Sequence, residues 1–238
     1  ERARIDAEDN TSLILVDIPT IEMEGKDFVY STIPLGILTT ENHLITVCLK
    51  DSHIMRDFAQ NHVKGFFTYK KTRFILQILY RNASRYLQYL RQIDKKTNAI
   101  ETELQRTLRN QELMQLMRLE KSLVFFATSL KSNEIVLEKL LRSDLIRRFP
   151  DDEDLLEDVI IENKQAIEMC AIYRDILSST MDAFSSVISN NVNDIMKVLT
   201  SLTLVLSIPT LIASIWGMNV KVPFEGDSVG FWILLGAS

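Results

Sequence analysis

The chain has 238 residues, 27 of them basic and 32 acidic, for a net charge of -5. That balance lacks the basic surface on which nucleic-acid binding depends, so no nucleic-acid partner is expected. Seven glycines and five prolines leave little room for a turn-rich all-β fold, and the length allows one large domain or two small ones.

The opening stretch, ERARIDAEDN, is charged and carries no apolar core of a signal peptide; with no initiator methionine at its head, the first residues of the natural protein are expected to be missing. SLILVDIP then reads as a buried strand bounded by Asn10 and Pro19. FVYSTIPLGILTTENHLITVCL holds two or three further strand-like runs, with Thr40, Glu41 and Asn42 as the hairpin turn. Ser52 is the N-cap of a short helix ending near Gly65. No Gly-rich phosphate loop joins a strand to a helix here, which argues against a Rossmann or P-loop enzyme. Residues 1–70 are thus expected to form an α/β subdomain with a small mixed sheet. His43, His53 and His62 lack the spacing of a helical metal pair. Cys48 and Cys170 show no CxxC spacing and read as single thiols of a reducing compartment.

From Thr72 the apolar period lengthens. Leu79, Tyr86, Leu90, Ile93, Ile100, Leu104 and Leu108 mark a long amphipathic helix. Leu113, Leu116, Leu123, Leu130 and Leu137 mark a second, over about Gln111 to Leu141, so that residues 71–149 form an antiparallel helical hairpin broken near Asn110. Pro150 and the acidic run behind it suit a helix start, where carboxylates meet the positive end of the macrodipole. Asp151 to Trp216 contains no glycine and only Pro209. As one helix it would be a rod of roughly 100 Å, too long for a small domain to bury.

Val198 to Trp216, VLTSLTLVLSIPTLIASIW, carries no ionisable side chain. Its length of roughly 28 Å matches the hydrocarbon core of a bilayer. Residues 150–197 therefore read as a stalk and 198–216 as a transmembrane helix. Thr200, Thr203, Ser207, Thr210 and Ser214 recur at spacings of three and four, and the same rule carried backward reaches Met196 and Asn193. This stripe suits either a helix-packing face, with hydroxyls bonded to the helix's own carbonyls, or the lining of a water-filled path. GMNVKVPFEGDS, residues 217–228, reads as a short loop, and VGFWILLGAS, residues 229–238, as the start of a second span that ten residues cannot complete. No nucleophile–base set, metal-ligand cluster or phosphate loop is present, and an enzyme is not expected.

The run NNVNDIMKVLTSLTLVLSIPTLIASIWGMN closely resembles the signature of the CorA family of magnesium transporters, in which a stalk helix becomes the first membrane helix and ends in Gly-Met-Asn. The resemblance covers at least Asp151 to Ser238, and the α+β and helical-hairpin portion is compatible with that family's cytosolic domain. It implies a homopentameric channel in the cell membrane carrying Mg²⁺, with Co²⁺ or Ni²⁺ as substitutes, both termini cytosolic and the loop external. Gly217, Met218 and Asn219 would form the selectivity loop, with Asn219 as a ring at the outer mouth. Asn193, Met196 and Leu199 would line the narrow inner pore, followed by Thr203, Ser207 and Thr210. The family's membrane proline usually stands one position earlier than Pro209, and Ser207 replaces a frequently bulky residue, which leaves the pore's shape there open. Asp158 aligns with a stalk carboxylate of an inter-subunit regulatory Mg²⁺ site whose partner is unassigned; occupied from the cytosol, that site would hold the pore closed. A CorA-like transporter of zinc or another divalent ion, and a non-transporting membrane-anchored coiled-coil protein, are the competing expectations.

Overall fold

The computed structural model describes residues 3–8, 11–24, 27–107, 110–142, 150–217, 232 and 236. Its chain divides into two compact units, residues 1–181 and 182–238. The first opens with strands β1 (Arg4–Glu8), β2 (Thr11–Glu24), β3 (Asp27–Thr39) and β4 (Leu44–Cys48), followed by helices α1 (His53–Ala59), α2 (Lys71–Thr107) and α3 (Asn110–Leu141). Helix α4 (Pro150–Trp216) starts in the first unit and belongs to the second from Asp182 onward.

The α+β class holds. Within it, the sheet expected as mixed is an antiparallel meander, β1-β2-β3-β4. The short connections account for this, since a parallel pair needs a crossover of about a dozen residues or more. The Thr40–Asn42 turn is where the sequence places it, closed by Thr40 N–H donating to His43 O at 2.9 Å and His43 N–H to Thr40 Oγ1 at 3.0 Å.

Pro19, expected to end its strand, instead lies inside β2, opposite Thr32. The pairing explains why a proline is tolerated there. β1 covers β2 only as far as Leu15, and β4 covers β3 only from Leu35. Beyond those points each strand has one neighbour among the described residues. The Asp17 N–H turns away from β3, and with period two Pro19's missing N–H falls on the same open edge. Pro34, directly opposite Asp17, likewise turns its ring to the side that β4 has left.

Helix α1 begins as expected. Ser52 is extended at φ -108° and ψ 129°, and its Oγ accepts from Ile54 N–H. It ends at Ala59 rather than near Gly65. Asn61 takes a left-handed φ of 56°, donates its N–H to Phe58 O, and is followed by His62 N–H donating to Asp57 O. This pair of bonds is a Schellman cap with asparagine in the place that glycine usually takes.

One face of the β2–β3 hairpin buries Ile14, Val16, Ile18, Ile33, Leu35 and Ile37. Against it pack Ile75, Leu76 and Leu79 of α2, Val136, Leu137 and Leu140 of α3, and Leu156 and Val159 of α4. Phe58, Phe66 and Phe74, with ring centroids 4.6 to 5.2 Å apart, fasten α1 to the start of α2. The apolar stripe of α2 is buried at Leu79, Tyr86, Leu90, Ile93 and Leu104, and that of α3 at Leu116, Leu123, Leu130 and Leu137. Leu108 lies outside the described residues.

Helix α4 turns one side to this core. Asp152, Leu156, Val159, Asn163, Ala166, Cys170 and Leu177 are buried at spacings of four, three and seven. Asp152, with a side chain only 8% exposed, is paired at 3.4 Å with Arg73 near the start of α2. Leu177 is the last position of α4 to be fully buried.

Candidate functional site

The distal part of α4 carries the expected path residues. An 18-residue window of this helix has a mean hydropathy of 2.0, and none of it is buried. A buried core helix is excluded by that exposure. Leu202, Leu204, Val205, Leu206 and Leu211 are each more than half exposed, which in water would be an aggregation-prone surface and in lipid is the expected one.

The polar stripe is one face of the helix. Asn193, Met196, Lys197 and Thr200 border one groove, and Thr203, Ser207, Thr210 and Ser214 border the next, of about 460 Å³. The hydroxyls are not idle along it. Thr203 Oγ1 donates to Leu199 O at 2.8 Å, Ser207 Oγ to Thr203 O at 2.6 Å, and Thr210 Oγ1 to Leu206 O at 2.7 Å. Each donor is satisfied within the helix, leaving oxygen lone pairs facing the groove. Pro209 lacks the N–H that would bond Val205 O, a gap tolerated in membrane helices.

Met196 and Leu199 are 53% and 54% exposed, about two turns and one turn before Thr203. Lys197 pairs with Asp194 at 3.0 Å, one helical turn earlier. At the far end Gly217 N–H donates to Ala213 O at 2.9 Å as the last bond of the helix. A Cβ on Gly217 would stand 3.3 Å from that same carbonyl oxygen, so the closing turn favours a residue without one. Met218 and Asn219 lie outside the described residues, as does the 229–238 run apart from Trp232 and Gly236.

Asp158 lies on the exposed side of α4, between the buried Leu156 and Val159. No group of three or more metal-ligating side chains occurs among the described residues. Asp154 and Glu162 stand four residues before and after Asp158 on the same helix.

The match to a family model settles where the chain belongs: the CorA-like Mg2+ transporter protein model covers residues 1–238. The chain is a member of the CorA-like family. It is 28% identical over 245 residues to the cobalt/magnesium transport protein CorA of Methanocaldococcus jannaschii, covering 99% of this chain and 74% of that protein. The CorA of Thermotoga maritima is 31% identical over 147 residues, covering 57% of this chain and 39% of that protein. The complete structure of the M. jannaschii CorA magnesium transporter superposes with a TM-score of 0.83 at 26% identity, over 99% of this chain and 74% of that one. The ZntB cytoplasmic domain from Vibrio parahaemolyticus shares the fold, with a TM-score of 0.60 at 15% identity over 82% of this chain and 75% of that one. At that identity the likeness concerns fold alone.

One polar cluster was not anticipated. Asp17 O of β2 accepts from Asn133 Nδ2 at 2.8 Å, Asn82 Nδ2 at 2.9 Å and Tyr86 Oη at 3.2 Å, while Asp17 N–H donates to Asn133 Oδ1 at 2.9 Å. The signal was available as asparagines interrupting apolar stripes: Asn82 stands three residues after Leu79, and Asn133 three after Leu130. Burial of the Asp17 carboxyl raises its pKa, against an opposing hydrogen bond with Ser129. The Tyr86 hydroxyl is pushed well up by complete burial and by the nearby Asp17 charge. Cys170 donates its thiol to Leu123 O at 3.1 Å, and burial pushes its pKa to about 11, so it is an inert packing residue.

Proposed function

We propose that the chain is the pore-forming subunit of a CorA-type channel that passes Mg²⁺, with Co²⁺ or Ni²⁺ as substitutes, through a homopentameric path in the cell membrane. The observation that carries this is the uncovered, membrane-length end of α4, with one hydroxyl-bearing face that runs to the end of the helix at Trp216. Five copies turning that face inward would surround a path lined by Asn193, Met196, Leu199, Thr203, Ser207 and Thr210. The leucines and valines of the other faces would meet lipid and the second span. Residues 1–197 would lie in the cytosol and the 217–228 loop outside.

The chemistry suits a hydrated divalent ion. Mg²⁺ gives up water reluctantly, and a ring of neutral Asn219 carbonyls can accept hydrogen bonds from its water shell. A ring of carboxylates would hold the ion more tightly and slow its exit. The back-bonded hydroxyls of Thr203, Ser207 and Thr210 offer acceptors of the same kind. Met196 and Leu199 offer none, and a ring of them can close the path by dewetting. Asp158, exposed on the stalk, would contribute to a regulatory Mg²⁺ between neighbouring subunits that stabilises the closed state through differential binding.

Mg²⁺ flux into proteoliposomes, comparing the full-length protein with Asn219→Ala, tests the assignment. Loss of most of the flux in the variant supports the mouth ring. Undiminished flux would falsify it, and absence of flux in the unaltered protein would remove the transport function.

A further inference from the structure

Between β2, α2, α3 and α4, within the first unit, lies an enclosed cavity of about 10 Å³ lined by Val16, Asn82, Ala83, Asn133, Val159 and Asn163, among others. Asn82, Asn133 and Asn163 are each only 3% exposed. Three asparagines around so small a space stand out in a core that is otherwise mostly aliphatic.

Their amide orientations are fixed by their partners. Asn82 Nδ2 and Asn133 Nδ2 both donate to Asp17 O, and Asn163 Nδ2 donates to Leu130 O at 3.2 Å. A carbonyl oxygen can only accept, so in each case the NH₂ group must face it. Asn82 Oδ1 is therefore a committed acceptor, yet it is fully buried and receives no hydrogen bond from any described residue. Leaving such an oxygen unmet forfeits its hydration with nothing in return. Each of the three NH₂ groups has a second hydrogen beyond the one bond just named.

We infer that this cavity holds one ordered water molecule, which donates to Asn82 Oδ1 and is held by the other asparagine amides. The volume suits one water and nothing larger, and the lining is polar enough to retain it. The water joins α2, α3 and α4 where α4 is fastened to its domain. The chain of contacts runs from Asp17 of the sheet through Asn82 and Asn133 to Asn163 of α4. This inference is independent of the transport reading, and the site takes no ion: one committed carbonyl oxygen is too few for a cation.

The test is an experimental map of the full-length protein at about 2 Å or better. A peak within about 3.2 Å of Asn82 Oδ1 is expected; a clean map of the three asparagines with no peak between them overturns the inference. A second measurement uses Val159→Ile, whose added methylene enters the cavity. If the water is there it is expelled, and the unfolding equilibrium constant rises about tenfold as Asn82 Oδ1 is orphaned. A neutral or stabilising Val159→Ile means the cavity was dry and overturns the inference. If the variant does not fold, the map of the unaltered protein decides alone.

Discussion

Asn133 of α3 meets Asp17 of β2 as a strand would, its Oδ1 accepting from the Asp17 N–H at 2.9 Å while its Nδ2 donates to the Asp17 carbonyl at 2.8 Å. A primary amide carries the same donor and acceptor pair as a peptide unit. One buried side chain therefore completes the edge of β2 where β1 has ended, and it does so from a helix. Replacing it by alanine leaves the Asp17 N–H buried without a partner, while the carbonyl retains Asn82 and Tyr86. Asn133→Ala is expected to destabilise the fold by about 2–4 kcal/mol. Asn133→Asp should be worse, because a carboxylate oxygen would then face the Asp17 carbonyl. Denaturant midpoints of the two variants against the unaltered protein check both the size and the order.

The Asp17 carboxyl beside that clamp gives a pH dependence of known sign. Its pKa is raised in the folded state above that of an ordinary aspartate, chiefly by burial. The folded protein then binds the proton more tightly than the unfolded chain does. The stabilising contribution is complete below the ordinary aspartate value of about 3.9 and fades as pH climbs through the raised folded value. Asp17→Asn cannot ionise and should lose that decline. The difference in unfolding free energy, variant minus unaltered protein, is therefore expected to grow from pH 3.5 to pH 7. A difference that stays flat or shrinks across that range would contradict the assignment.

How far the sequence speaks depends on which contacts set each element. Helices α2 and α3 follow from leucines and aromatics at three, four and seven, because a face that packs along its whole length leaves its period in the sequence. The membrane-length end of α4 is equally plain, since a long run without ionisable side chains shows in the sequence whatever it packs against. Strand β1 was hidden. Its RIDAE has four exposed positions of five, and charges are what an edge strand uses to avoid further pairing. Pro19 misled for a related reason: whether a proline breaks a strand depends on which neighbour lies on its N–H side, and only the register reveals that. The cap at Asn61 shows the same limit, because asparagine tolerates the left-handed turn that Gly65 was expected to provide. In the candidate site, spacing alone was enough to collect Asn193 through Thr210 onto one face. It offered hydroxyls bonded to their own helix as one of two readings, and only the structure shows those bonds at Thr203, Ser207 and Thr210.

Asp158 distinguishes a regulatory carboxylate from a solvated one. Its side chain is on the exposed side of α4, so Asp158→Ala should change stability by no more than about 0.5 kcal/mol. If it helps hold a Mg²⁺ between subunits, added Mg²⁺ should protect the first unit from protease in the unaltered protein and protect the variant less. Equal protection of the two by Mg²⁺ would leave Asp158 as a surface charge.

Leu199 supplies the sharpest test of the proposed path. In the single chain it is 54% exposed, so its apolar side chain contributes little to packing within one subunit. Its carbonyl accepts from Thr203 Oγ1 whatever side chain the residue bears. A serine there should leave the helix intact, while giving the narrowest part of the path a polar edge that water can wet. Leu199→Ser is therefore expected to raise Mg²⁺ flux through reconstituted protein about tenfold, a barrier lowered by about 1.4 kcal/mol. Leu202→Ser, on the face assigned to lipid, serves as the control and should not raise flux. Equal flux from the two variants would mean that Leu199 faces no path. Increased flux from Leu202→Ser alone would turn the lining by about 60°, to the adjoining side of α4.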